Sequence, residues 1–301
     1  MKIDKRVVAG AAVALVALAG CGGGSRTGDA SAPKADQKVV DQAAGACGAV
    51  GAKYPGLKGK TINVGSNPGL NYYNFVDEAD ASKVIGLEPD LMGAISKCVG
   101  FTTQYQKMDF NGLIPALTSN RIDVITSGMY ATEERAKQVN FVSYMKAAEA
   151  AVVAKGNPKK ITGLDTMCGT RVAQVVGTVE VKVAEDQDKK CKAEGKPGMK
   201  FLNFNNNNQL TSALTGGRAD IFLTDAGVAA YVAKQFPKLE KGFDIVSDFQ
   251  FGIGVNKGNQ ELLNAINESL LALHEKGELA TVATKWGFSA EQVVKPALVT
   301  G

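Results

Sequence analysis

Short apolar stretches alternate with amphipathic ones along most of the chain, and the two periods change places at regular intervals. Residues 61–65 have the length and bounding polar residues of a strand. Residues 87–99 follow a helical period, with Leu91, Ala94, Ile95 and Cys98 on one face. The pattern then predicts a strand over 102–106, a helix over 112–119, a strand over 122–127, a helical turn over 132–138 and a strand over 150–155. A second series begins near Gly163. It predicts strands over 171–174, 200–204 and 219–224, and helices over 178–192, 208–216 and 227–235. The chain returns through a strand over 251–255 and closes on helices over 260–276 and 279–286, which have no strand of their own to cover. Strands that alternate with helices at these lengths build parallel α/β units. Two such series, with a return at the end, predict two lobes joined by two crossovers: residues 46–149 plus 250–301 form lobe one, and 150–249 form lobe two. Each lobe is expected to be a mostly parallel sheet flanked by helices.

The first 45 residues do not fit this rhythm. Lys2, Lys5 and Arg6 precede an apolar run from Val7 to Ala19, too short and too rich in small residues for a membrane-spanning helix. Leu18-Ala19-Gly20-Cys21 closes the run and resembles a bacterial lipobox. That implies removal of residues 1–20, diacylation of Cys21 and an extracytoplasmic protein held to the cell membrane by the lipid alone. Residues 21–45, rich in Gly, Ser, Ala, Asp and Lys without an apolar period, are expected to be a flexible tether.

Charge and cysteine content narrow the function classes. Removing the three basic and one acidic residues of 1–20 from the 34 and 30 of the whole chain leaves a net charge of +2. So balanced a surface gives no reason to expect a nucleic-acid partner. Cys47, Cys98, Cys168 and Cys191 remain after Cys21. An even count in an exported chain favours disulfides, and no pair has the CxxC spacing of a metal or redox site. Of the three possible pairings, Cys47–Cys98 with Cys168–Cys191 is preferred, because each bond then closes a loop within one lobe. His274, the single histidine of the chain, lies in a predicted helix far from every other candidate, and no nucleophilic triad can be assembled around it. No enzyme activity, metal or cofactor is expected.

Several segments, in order, carry a resemblance: Val64-Gly65-Ser66-Asn67-Pro68, Gly86-Leu87-Glu88-Pro89-Asp90-Leu91, Asp109-Phe110-Asn111-Gly112-Leu113-Ile114-Pro115, Ser127-Gly128-Met129-Tyr130-Ala131-Thr132-Glu133-Glu134-Arg135, Val176-Gly177-Thr178, Gly217-Arg218-Ala219-Asp220 with Asp225, and Gly252-Ile253-Gly254-Val255-Asn256. Over residues 60–288 the chain resembles the extracellular solute-binding proteins of amino-acid-type ABC importers. The resemblance implies two α/β lobes hinged by two strands around a cleft, and partners in a small zwitterionic solute and the permease and ATPase subunits of an importer. A monomer is expected.

The resemblance also implies a site. Arg135 would grip a ligand carboxylate, because its planar fork makes two parallel charge-assisted hydrogen bonds and keeps its proton; a solvated helix arginine is the plain alternative. Ser127, Gly128 and Thr132, on the same strand-to-helix turn, would add backbone N–H groups. Asp225 would accept from the ligand ammonium or simply cap the helix after it. Gly177 and Thr178 would offer a second turn from lobe two, with a simple helix cap as the alternative for Thr178. Asn67 belongs to the first strand end. Glu180 is unexpected beside an anion-binding turn.

The aromatic pattern departs from amino-acid binders, with Leu70 where a stacking ring is usual and Tyr130 where a small hydroxyl residue is usual. Phe110, Tyr130 and either Tyr72 or Tyr73 would then form a partial aromatic box suited to a compatible solute such as ectoine or a betaine. Phe75 and Phe141 read as packing. The leading expectation is a lipid-anchored receptor for a small zwitterionic amino acid or derivative. A compatible-solute binder, and a dehydratase-like enzyme or sensor on the same scaffold, are the alternatives.

Overall fold

The computed structural model describes residues 36–69 and 72–301. The signal segment, Cys21 and most of the expected tether lie outside the described residues, as does Leu70. In chain order the elements are α1 (Gln37–Gly45), β1 (Thr61–Ser66), β2 (Phe75–Val76), β3 (Val84–Ile85), α2 (Leu87–Val99), β4 (Thr102–Lys107), α3 (Leu113–Thr118), β5 (Val124–Ile125), α4 (Glu133–Ala136), β6 (Asn140–Lys146) and β7 (Glu149–Ala154). There follow β8 (Arg171–Val175), α5 (Val179–Ala193), β9 (Lys200–Phe204), α6 (Asn207–Thr215), β10 (Ile221–Asp225), α7 (Ala226–Gln235), β11 (Leu239–Ile245), β12 (Gln250–Val255), α8 (Gln260–Glu275), α9 (Glu278–Lys285) and β13 (Val293–Val299).

Two large sheets carry the fold. The first has the order β13-β6-β12-β5-β1-β4, the second β11-β7-β10-β8-β9. In the first, β1 runs parallel to β4 and β5, whereas β12 is antiparallel to β5 and β6, and β13 to β6. In the second, β8 is parallel to β9 and β10, while β7 is antiparallel to β10 and β11. The sheets are therefore mixed rather than mostly parallel. The antiparallel members include the strands by which the chain passes between sheets, and a strand entered without a crossover helix is free to run against its neighbour. The passages are short: residues 147–148 separate β6 from β7, and 246–249 separate β11 from β12. They lie side by side, with the Ala147 N–H donating to the Phe249 carbonyl at 2.8 Å.

Helix α2 forms where its period predicts, between Gly86 and a left-handed Gly100 whose N–H donates to the Ser96 carbonyl. Leu87, Leu91, Ala94 and Ile95 are fully buried against the first sheet and α8. The sequence expectation also lacked β2, β3 and β11, and three further regions differ from it. Residues 37–45 are helix, not tether: the Asp36 carboxylate accepts from the Lys38 N–H, and Val40 and Ala43 are buried. Nine residues do not hold a helix alone; packing on α2 and the Cys47–Cys98 bond hold this one. The chain does not end on uncovered helices either, because β13 pairs with β6 at the edge of the first sheet. Pro296 argues against a strand there, yet an edge strand tolerates it, and the ladder shifts register between Val293 and Ala297 to pass it. Finally, β6 was not anticipated, since six of its seven residues are buried and a strand covered on both faces shows no alternation.

Both preferred disulfides are present, Cys47–Cys98 and Cys168–Cys191, with Cα atoms 5.5 and 5.6 Å apart. Among the described residues, no helix is long and apolar enough to cross a membrane.

Candidate functional site

The carboxyl ends of β1, β5, β8 and β10 meet at a cleft between the two sheets. Nine of the residues predicted for binding line it, and Thr132 does not. Asn67, Tyr73, Phe110, Ser127, Gly128, Tyr130 and Arg135 stand on the side of the first sheet, Thr178 and Asp225 on the side of the second. Gly177 is outside the lining, at the edge.

Arg135 is placed by α4, whose cap is Thr132: the Thr132 hydroxyl accepts from the Arg135 N–H at 3.3 Å. The guanidinium reaches across the cleft. One nitrogen donates to the Tyr130 carbonyl at 2.8 Å and another to the Gly177 carbonyl at 3.0 Å. Its carbon lies 5.6 Å from the centroid of the Phe110 ring. Burial lowers its pKa, and the neighbouring Glu180 carboxylate opposes that shift. Gly177 adopts φ +86°, and a Cβ there would come within 3.1 Å of the Asn111 side chain. The turn can face lobe one this closely only without a side chain.

The backbone part of the expected anion site is spent elsewhere. The Gly128 N–H donates to Glu88 Oε2 at 2.8 Å, and Glu88, fully buried on α2, also accepts from the Tyr144 hydroxyl and from Asn74 Nδ2. The Thr132 N–H is bonded to the Tyr130 carbonyl. Ser127 contributes through its side chain: its oxygen accepts from the Asn67 N–H at 2.9 Å. Likewise, the Gly177 group that faces Arg135 is a carbonyl, not an N–H donor.

Opposite Arg135 the wall is acidic. Asp225 both caps α7 and faces the cleft. Its Oδ1 accepts from the Gly227 and Val228 N–H groups at 2.8 and 3.3 Å and from the Tyr73 hydroxyl at 3.1 Å, and Oδ2 has no such bond among the described residues. Burial pushes the Asp225 carboxyl up to about 7 against the pull of those donors. Glu180, the second residue of α5, also lines the cleft, and burial raises its pKa although the Thr178 hydroxyl and Arg135 act the other way. The sequence reading missed Glu149. It is buried at the start of β7, directly paired with Asp225 across the strands, and pushed up to about 7 by burial and then by the Glu180 and Asp225 charges. A lone carboxylate inside the run Ala147-Ala148-Glu149-Ala150-Ala151-Val152 was the signal that could have found it.

The aromatic residues divide differently from the expected box. Tyr130 stacks on Phe249 at 5.3 Å and meets Phe251 edge-on at 5.0 Å. Tyr73 packs against Phe251 and Phe288, Tyr72 turns to Tyr231, and one face of Phe110 is covered by Arg135. Each candidate ring thus spends a face or an edge on a protein partner. Phe251 was missed as a lining residue because it sits in what reads as an ordinary strand. Phe75 packs on Trp286 and Phe141 is fully buried, both as expected.

Two α/β sheets joined by two adjacent passages, with a guanidinium and several carboxylates facing each other between them, define a hinged receptor for a small charged solute. Sequence comparison agrees: residues 62–289 match the bacterial extracellular solute-binding proteins, family 3, and the chain belongs to that family. The resemblance read from the sequence is borne out. Over 292 residues the chain is 27% identical to a probable histidine-binding protein of Neisseria gonorrhoeae, covering 95% of this chain and 96% of that one. Among solved structures it is similar to an ancestral arginine-binding protein bound to arginine, at 34% identity and TM-score 0.70, covering 77% of this chain and 99% of the other. It is also similar to the ancestral amino acid-binding protein AncCDT-1, a precursor of cyclohexadienyl dehydratase, at 30% identity and TM-score 0.66, covering 75% and 95%.

Proposed function

We propose that the protein captures an amino acid outside the cell and hands it to the permease and ATPase of an ABC importer, as a monomer held to the membrane by a lipid on Cys21. Arg135 pairs with the ligand carboxylate and Asp225 with its ammonium. The observation that carries this reading is that these two groups line one cleft from opposite sheets. A ligand touching both then favours the closed arrangement of residues 46–149 plus 250–301 against 150–249, because it makes both contacts only there. Capture at about micromolar affinity needs roughly 8 kcal/mol, of which the two charge-assisted contacts supply about 3–6 kcal/mol. The ring packing gives the compatible-solute reading less support than the opposed charges give to an amino acid. The relatives are named for binding, which favours a receptor over an enzyme.

The test is a thermal-shift and calorimetric screen of the twenty amino acids, ornithine, ectoine and betaine, with histidine and arginine first. At least one amino acid should bind, and Arg135→Ala should weaken it at least tenfold. Ectoine or betaine binding without any amino acid, or a titration curve that Arg135→Ala leaves unchanged, refutes the assignment.

A further inference from the structure

A zwitterion leaves the charges of this cleft unbalanced. Its carboxylate answers Arg135 and its ammonium answers Asp225, so Glu180 and Glu149 stay without a cation. Two independent features mark where one belongs. Glu149 is 1% exposed, and its Oε1 has no hydrogen-bond partner among the described residues. The Tyr130 hydroxyl, on a residue 4% exposed that lines the cleft, has none either. A buried polar atom without a partner is costly, and here two lie near two buried carboxylates.

The fold brings these groups together. Glu149 is the direct partner of Asp225 across the antiparallel β7–β10 pair, so both side chains leave the sheet on the same face. Asp225 faces the cleft, and Glu149 stands beside it at the passage from β6 to β7. Glu180 comes from the first turn of α5 and Tyr130 from the turn before α4, and both line the cleft, from opposite sides.

We propose that Glu149, Glu180 and the Tyr130 hydroxyl form a second cation subsite at the hinge end of the cleft, which selects amino acids whose side chain ends in a positive charge. The proposal rests on the receptor reading above and names its ligand class. A guanidinium or ammonium there would give Glu149 Oε1 a donor, supply the Tyr130 oxygen with another and neutralise the excess negative charge. A neutral side chain would leave the carboxylates buried and unmatched, which makes the subsite a device of rejection as well as of attraction.

Calorimetry on the mature protein with matched ligand pairs tests this: arginine against citrulline, and lysine against norleucine. The charged member of each pair should bind the wild type at least tenfold more tightly. Glu149→Gln and Glu180→Gln should each narrow that ratio at least threefold. Tyr130→Phe should narrow it in the same sense, and it carries the test with Glu180→Gln if Glu149→Gln does not fold. Equal affinity for arginine and citrulline in the wild type, or a ratio unmoved in the folded variants, overturns the subsite and leaves the receptor standing. Failure of every amino acid to bind overturns both.

Discussion

At the scale of single residues, the chemistry of the cleft is a matter of where carboxylates are kept dry. Asp225 and Glu149 are both held at about 7 by burial, and the charged groups facing them are Glu180 and Arg135, with the Tyr73 and Tyr130 hydroxyls alongside. A carboxyl near 4 in the unfolded chain and near 7 in the folded one binds its proton more tightly when folded. Its contribution to stability is present at acid pH and is lost as pH rises from about 4 to about 7. Calorimetric melts of the empty protein should show a higher Tm at pH 5.5 than at pH 7.5. A ligand ammonium requires ionised carboxylates, so affinity should rise with pH over the same interval and level off above about 7, as titrations at fixed ionic strength would show. Glu88 is a different case, a buried acceptor tied to Gly128, Tyr144 and Asn74. Glu88→Gln turns one acceptor oxygen into a donor aimed at donors, and should cost about 1–3 kcal/mol by chemical denaturation. Arg135 and Asp225 were legible because each sits where a strand gives way to a helix. Glu149 was not, because its role comes from a cross-strand partner 76 positions away.

Among the elements, what could be read from the sequence were those whose own pattern decides them. The period of α2 fixed its ends, and β1, β4, β8 and β9 are bounded by polar residues. Helix α1, strand β6 and strand β13 are instead stabilised by what they meet: a disulfide and a neighbouring helix, two covering layers, and the edge of a finished sheet. The α1 clasp can be tested directly. Cys47–Cys98 closes a loop with a sequence separation of 51, which chain entropy makes worth roughly 4 kcal/mol. Replacing both cysteines by serine should lower Tm by on the order of 10 °C and raise hydrogen exchange in residues 37–45 first. An unchanged melt would show that packing alone holds α1.

For the whole molecule, the arrangement of two sheets about two passages was legible from the order of strands and helices, whereas the sense of the strands was not, since periodicity carries no direction. The passages at 147–148 and 246–249 are the covalent links between the sheets, and any ligand bridging Arg135 and Asp225 adds a third. At a ligand concentration a thousand times Kd this linkage amounts to about 4 kcal/mol, so saturation should raise Tm by about 10 °C. A tenfold loss of affinity in Arg135→Ala should remove about a third of that rise at the same concentration.

The clasp between Cys47 and Cys98 has a mechanical consequence. Any pull on the chain ahead of α1 enters the body at that helix and passes at once through a covalent staple into α2, while the final strand is laced into the first sheet. Such a load is therefore borne by one shell, and the other hangs from it by two thin straps.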